Sequence, residues 1–185
     1  MSPSPGSGAG PVTEAAGPIG RSLPIPPLAN EPVETSMYTE NLSQRLAVVS
    51  CIDPDAYGVG AVNGDAVDLS KFNRVLFVVM VGDLGTNATV DYKLQGSPDG
   101  SSGWTDLTGK AITQLTQAGT DSDKQALVEI TAEELHGYSA NYRFVRDVLT
   151  VGTAASDCGA VALAGVPRFH PASDDDLASV DEIVT

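Results

Sequence analysis

Seven consecutive apolar residues, Val75, Leu76, Phe77, Val78, Val79, Met80 and Val81, sit between Asn73 and Gly82. This run constrains the fold more than any other feature. It is rich in β-branched side chains, which suit a pleated strand, and its continuity predicts a strand buried on both faces. It is the longest apolar run in the chain and far too short to span a bilayer. The next segment, residues 89–95, alternates: Val90, Tyr92 and Leu94 on one side, Asp91, Lys93 and Gln95 on the other. That pattern predicts a half-buried strand. Ser97, Pro98, Asp99 and Gly100 then supply a turn, because proline presets φ, aspartate caps locally and glycine allows positive φ. A short return strand is expected over 104–107, with further strands over 45–51, 125–131, 142–151 and 159–166. Short strands at this spacing, separated by turn residues, predict an all-β chain. The expected architecture is a β-sandwich, jelly-roll-like or immunoglobulin-like. Thr131 and Glu134 have capping-box spacing, so one helical turn is expected there.

Proline divides the chain. Eight of its 12 prolines lie in the first 32 residues. Such a segment lacks amide donors, favours extended geometry and cannot pack a core of its own. Residues 1–32 therefore read as an extended Pro/Gly-rich arm, 33–166 as the sandwich and 167–185 as a short acidic C-terminal tail. Their formal charges are −1, −9 and −4, which make up the total of −14. In the arm, Ile19, Leu23, Ile25 and Leu28 are the expected apolar anchors for a partner. In the tail, Leu177, Val180 and Ile183 are weaker candidates, on one or two helical turns capped by Ser173.

Charge excludes some functions. Neutralising phosphates requires clustered Lys and Arg, and 10 basic against 24 acidic residues do not provide them. Neither direct nucleic-acid binding nor attachment to an anionic membrane is expected. Residues 1–10 have neither the basic start nor the apolar stretch of a secretory signal, so a soluble chain is expected. Catalysis finds little support. His136 and His170 stand in no metal-binding spacing, and neither a nucleophile elbow nor a phosphate loop occurs. A Cys–His pair would need Cys51 or Cys158 beside His136. Both cysteines lie in or next to apolar strands and read as buried, inert thiols. A disulfide between them would require Cα atoms about 4.4–6.8 Å apart. The acidic groups at 53–55, 121–123 and 174–176 lack the ordered ligand spacing of an EF-hand loop and read as solvated. Neither metal nor cofactor is expected. Trp104, the single tryptophan, reads as a plug at one end of the core or as a platform for stacking a sugar.

Several of these segments together resemble a known family. Asp68, Leu69 and Ser70 lead into the apolar run. Leu94, Gln95, Gly96, Ser97, Pro98, Asp99 and Gly100 form a hairpin that returns through Trp104, Thr105, Asp106 and Leu107. Ile112, Thr113, Gln114 and Leu115 follow. Later come Tyr142, Arg143, Phe144, Val145 and Arg146, then Val148 to Gly152, and finally Gly159, Ala160, Val161 and Ala162. Over residues 66–166 this series resembles the small β-sandwich head decoration and minor capsid proteins of tailed bacteriophages. The resemblance implies a virion structural protein on the outer capsid surface, with no catalytic residues. Its expected partners are the major capsid protein and neighbouring copies of itself, as a homo-oligomer on the shell. The Ser97–Trp104 hairpin pattern also occurs in carbohydrate-binding sandwiches. The alternative expectation is thus a glycan-binding or host-attachment module using Trp104, Tyr92 or Tyr138.

Overall fold

A computed structural model describes residues 40–185. Among them the chain is mostly β, with two antiparallel sheets packed face to face and little helix. The first sheet has four strands. In spatial order they are β1 (Leu46–Tyr57), β10 (Ser156–Pro167), β4 (Phe72–Leu84) and β8 (Gln125–Thr131). The second is built on β2 (Gly60–Asn63), β9 (Phe144–Gly152), β5 (Thr89–Ser97) and β6 (Thr105–Ala111). The short β3 (Val67–Asp68) adds to β9, and β7 (Leu115–Thr116) adds to β5.

The core lies between the sheets and follows from period-two alternation. In the first sheet the inward rows are Ala47–Ala164–Val75–Ile130, Ser50–Ala162–Phe77–Val128 and Ile52–Ala160–Val79–Ala126. Each large β4 side chain thus sits beside a β10 alanine, so large and small residues interleave and the layer fills without crowding. Val90, Tyr92 and Leu94 of β5, with Val145, Leu149 and Val151 of β9, close the core from the other sheet. All six are 1% exposed or less.

Two features of β1 explain its length, which runs well past the expected 45–51. Register shifts between Val48 and Ser50 and between Ile52 and Asp55 mark bulges. The first leaves Ser50 paired with Ala162, in an inward row. The second accommodates Pro54, which an edge strand tolerates because one side of its backbone needs no partner.

Thr131 caps α2 (Ala132–Tyr138), with both capping-box bonds formed: Glu134 N–H donates to Thr131 Oγ1 at 3.1 Å, and Thr131 N–H donates to Glu134 Oε2 at 2.9 Å. Leu135, on the inner side of this helix, is buried. A shorter helix, α1 (Leu42–Arg45), leads into β1.

The tail differs from its sequence reading. It forms a single 3-10 turn over Ala172–Asp175, preceded by Pro171 at φ −76° and ψ 154°. Ser173 lies inside that turn and caps nothing, because proline's fixed φ already sets the entry. Ala172 is fully buried. Leu177 N–H donates to Val48 O at 2.8 Å, and Val48 N–H donates to Asp176 Oδ1 at 2.6 Å. The segment therefore shields part of the β1 edge, which would otherwise offer unpaired backbone groups.

Candidate functional site

The outer faces of the two sheets differ in chemistry. On the second sheet the outward side chains are polar and satisfy one another. Lys93 Nζ pairs with Asp106 Oδ2 at 2.7 Å, and Gln95 Nε2 donates to Asp106 Oδ1 at 2.7 Å. Arg146 Nη2 donates to Gln95 Oε1 at 2.8 Å while its guanidinium stacks 4.3 Å from the Trp104 ring centroid. Gln114 Nε2 donates to Asp91 Oδ2 at 2.8 Å. Such a face is content in water.

The first sheet turns an apolar face outward. One row across it is Val48–Leu163–Leu76–Glu129; the next is Cys51–Val161–Val78–Leu127; a third is Gly159–Met80–Gln125. Leu76, Val78, Val161 and Leu163 are half-buried, while Met80 is 42% and Leu127 63% exposed. This corrects the expectation that the run at 75–81 is buried on both faces: only Val75, Phe77, Val79 and Val81 meet the core. Contiguous exposed apolar surface on one sheet face is the usual signature of a surface that meets another molecule.

At one end this face deepens into a groove of about 480 Å³. Its floor is Leu46, Leu76 and Leu163, and Leu42 of α1 and Val166 stand in its walls. Gly165 opens the floor: a Cβ there would lie 3.1 Å from Leu46 Cδ2. Arg74 and Glu129, 3.8 Å apart, lie on the rim, as does Glu40, the first described residue. Val166 has φ 54°, a left-handed conformation that a β-branched residue rarely adopts. It is 60% exposed. A second depression, of about 550 Å³, lies around Met80, Pro54 and Gly159 at the opposite end of the strands.

Inside the sandwich one polar cluster ties the sheets together. The Asp147 carboxylate, 2% exposed, accepts from Tyr92 Oη at 2.9 Å and from Ser50 Oγ at 3.0 Å. Ser50 Oγ in turn accepts from Asp65 N–H at 2.9 Å. Burial pushes the Asp147 carboxyl above its ordinary range, and the bonds from Tyr92 and Ser50 oppose that rise. Burial first, and then the Asp147 charge, push the Tyr92 phenol up as well. The cluster is sealed from solvent and reads as a structural tie. At the surface Arg143 grips Asp68 through two bonds, one from Nε at 2.8 Å. Partial burial acts to raise the Asp68 carboxyl, but the bonds from Arg143 and Ser70 outweigh it and hold the pKa down at about 2.

The remaining candidates separate. Cys51 and Cys158 are both free. Burial raises the Cys158 thiol to about 11; burial, then the bond to Asp53, raises that of Cys51. Neither forms a ready thiolate, and His136 lines a different cleft, beside Leu135 and Asn141. Trp104 is half-exposed on the polar outer face of the second sheet rather than in the core. Of the acidic groups, Asp121 accepts from Thr116 N–H and pairs with Lys124, Asp175 pairs with Lys71, and Asp176 holds Val48. Among the described residues no three His, Cys, Asp or Glu side chains gather as a metal site would require, and no helix is long and apolar enough to cross a membrane. Leu177 and Val180 are half-buried on the protein's own sheet edge or near it, and Ile183 is exposed. The arm anchors Ile19, Leu23, Ile25 and Leu28 lie outside the described residues.

Sequence reading missed the outward apolar face, although a signal for it exists. In 159–166, Val161 and Leu163 alternate with alanines, so both sides of that strand are apolar. Comparison with known proteins adds no relative: no protein-family model matches the chain, and no curated protein does.

Proposed function

We propose that this protein is a virion structural protein that decorates or cements the capsid of a tailed bacteriophage. It would sit on the outer capsid surface and bind the major capsid protein and neighbouring copies of itself. In this reading the sandwich is of the jelly-roll-like or immunoglobulin-like kind. The arm, residues 1–32, bridges neighbouring subunits, and the acidic tail, 167–185, closes the fold. The observation that carries the proposal is the outward apolar face of the first sheet, around Leu76, Val78, Leu127 and Leu163. A domain with one polar and one apolar outer face is suited to lie against another surface. Burying such a face contributes about 25 cal/mol per Å² of apolar area removed from water. The likeness of residues 66–166 to phage head sandwiches gives that surface its context. Packaged DNA presses shell subunits apart, and added contacts across them resist the separation. The net charge of −14 suits the outside of the shell, away from the genome. No catalytic step belongs to this reading.

The test is co-sedimentation with phage heads that lack the protein. The full chain should bind them, and a chain without residues 1–32 should bind far more weakly while still unfolding cooperatively. Equal binding by both chains would reduce the arm to a passive tail, and no binding by the full chain would remove the decoration reading. The alternative, a glycan-binding or host-attachment module, is favoured by the half-exposed Trp104 on a polar face. It requires a change of Trp104 fluorescence with a sugar, and Arg146 already occupies one side of the ring.

A further inference from the structure

The groove on the first sheet has a shape and chemistry that select among occupants. Resting on the bridging reading above, we propose that it receives residues 19–28 from a neighbouring copy, in a reciprocal exchange of arms between two molecules.

The groove has an apolar floor of Leu46, Leu76 and Leu163, and charged residues, Glu40, Arg45, Arg74 and Glu129, also line it. A single extended chain can lie in such a depression while the rest of the face, around Val78 and Leu127, stays free to meet another surface. Within the chain, residues 19–28 have the matching pattern. Pro24, Pro26 and Pro27 favour a polyproline II helix, which repeats every three residues with a rise of about 3.1 Å. At that period Ile19, Ser22, Ile25 and Leu28 share one face, so three of its four positions are apolar. The groove crosses the sheet from Leu46 of β1 through Leu163 of β10 and Leu76 of β4 to Glu129 of β8, about 14 Å at the spacing of adjacent strands, which takes the stretch from Ile25 to Leu28, about 9 Å long at that rise, and leaves the rest of the segment to run on over the same face. The same prolines remove three amide donors. Pairing with a free sheet edge is thereby disfavoured, and lying across a face is not. Docking a pre-extended segment also loses less conformational entropy than ordering a flexible one.

Charge points the same way. Two sandwiches of −9 each repel, whereas residues 19–28 carry a single charge, the positive Arg21. They therefore add no repulsion when they approach an acidic neighbour. The strained φ of 54° at Val166 adds an independent mark, because backbone strain of this kind gathers at ligand clamps. Position completes the case. Glu40, the first described residue, lies on the groove's own rim. When two molecules face one another groove to groove across a two-fold axis, each groove lies near the other's Glu40. The 11 residues from 29 to 39 bridge up to about 36–40 Å when extended.

The experiment uses the full chain in two variants. In the arm variant Ile25→Ser and Leu28→Ser leave every strand untouched. In the groove variant Leu163→Glu places a charge on the floor, and an unchanged thermal midpoint verifies its fold. Sedimentation velocity should show the wild type self-associating, and each variant alone associating at least about tenfold more weakly. An equimolar mixture of the two variants should regain association, because one intact arm meets one intact groove. A wild type that stays monomeric overturns the proposal, and so does an arm variant that associates normally or a mixture that remains monomeric. If the groove variant does not fold, the arm variant is mixed with wild type, and undiminished association then overturns it. No capsid enters this assay. Failure here leaves shell binding untouched, and failure to bind heads leaves arm exchange untouched.

Discussion

Replacing Tyr92 by Phe removes one oxygen from the sealed cluster at the centre of the sandwich. The side chain is 1% exposed, and its hydroxyl donates at 2.9 Å to a carboxylate that is 2% exposed. A hydrogen bond to a charged group contributes about 1.5–3 kcal/mol, so the substitution should cost about 2 kcal/mol near neutral pH. The cost should depend on pH. Burial raises the Asp147 pKa, so the folded protein holds that proton more tightly than the unfolded chain. Between the unfolded value, about 3.9, and the raised folded one, the native state binds more protons, and stability falls as pH rises. The tyrosine bond stabilises the ionised form. Without it the folded pKa moves further up and the fall continues to higher pH. Below the folded pKa the carboxyl is neutral and the lost bond is an ordinary one, worth about 0.5–1.5 kcal/mol. Urea unfolding of wild type and Tyr92→Phe, from about pH 8 down to about pH 4.5, measures the difference directly. In an Asp147→Asn background the pH dependence of the cost should vanish. A cost that is the same at every pH, or below about 0.5 kcal/mol throughout, would refute the assignment of an ionised, tyrosine-held Asp147.

Three further expectations are simpler. Phe77, fully buried between Ala162 and Val128, should cost about 3–5 kcal/mol on replacement by Ala, read as a lower urea midpoint. Thr131→Ala breaks one arm of the capping box and should cost about 0.5–2 kcal/mol by the same measurement. Attachment to the shell should survive high salt, since apolar burial is not screened, and should weaken when Ile19, Leu23, Ile25 and Leu28 are all replaced by Ser; release by moderate salt alone would show that ion pairs hold it.

Much of the fold is legible in the sequence, for local reasons. The strand at 125–131 is bounded by polar residues and capped by Thr131, and its limits coincide with β8. The alternation at 89–95 places Val90, Tyr92 and Leu94 inward because nothing else in the segment can occupy a core. Other elements carry no local signal. β2 and β3 are four and two residues long and exist only because β9 offers them an edge. The extension of β1 past Pro54 depends on a bulge against β10, a contact across more than a hundred residues. The Asp147 cluster is equally hidden. An aspartate between Arg146 and Val148 looks solvated until Ser50 and Tyr92, 97 and 55 residues away in sequence, converge on it.

The apolar run at 75–81 carries a different lesson. Continuity predicts cover on both faces, and the described residues supply cover on one. The inward set meets the second sheet; the outward set, Leu76, Val78 and Met80, meets none of its strands. Neighbouring strands repeat the pattern at Val161, Leu163 and Leu127, so the excess belongs to the whole face. A monomer that worked alone would gain from polar residues at these positions, as the second sheet shows with Lys93, Gln95 and Arg146. On the proposed reading the run serves two interfaces. One is made within the sandwich during folding, and the other would be completed when a further molecule covers the outer face. The substitution that separates them lies on one strand: Phe77→Ala should lower stability and Leu76→Ser should lower association.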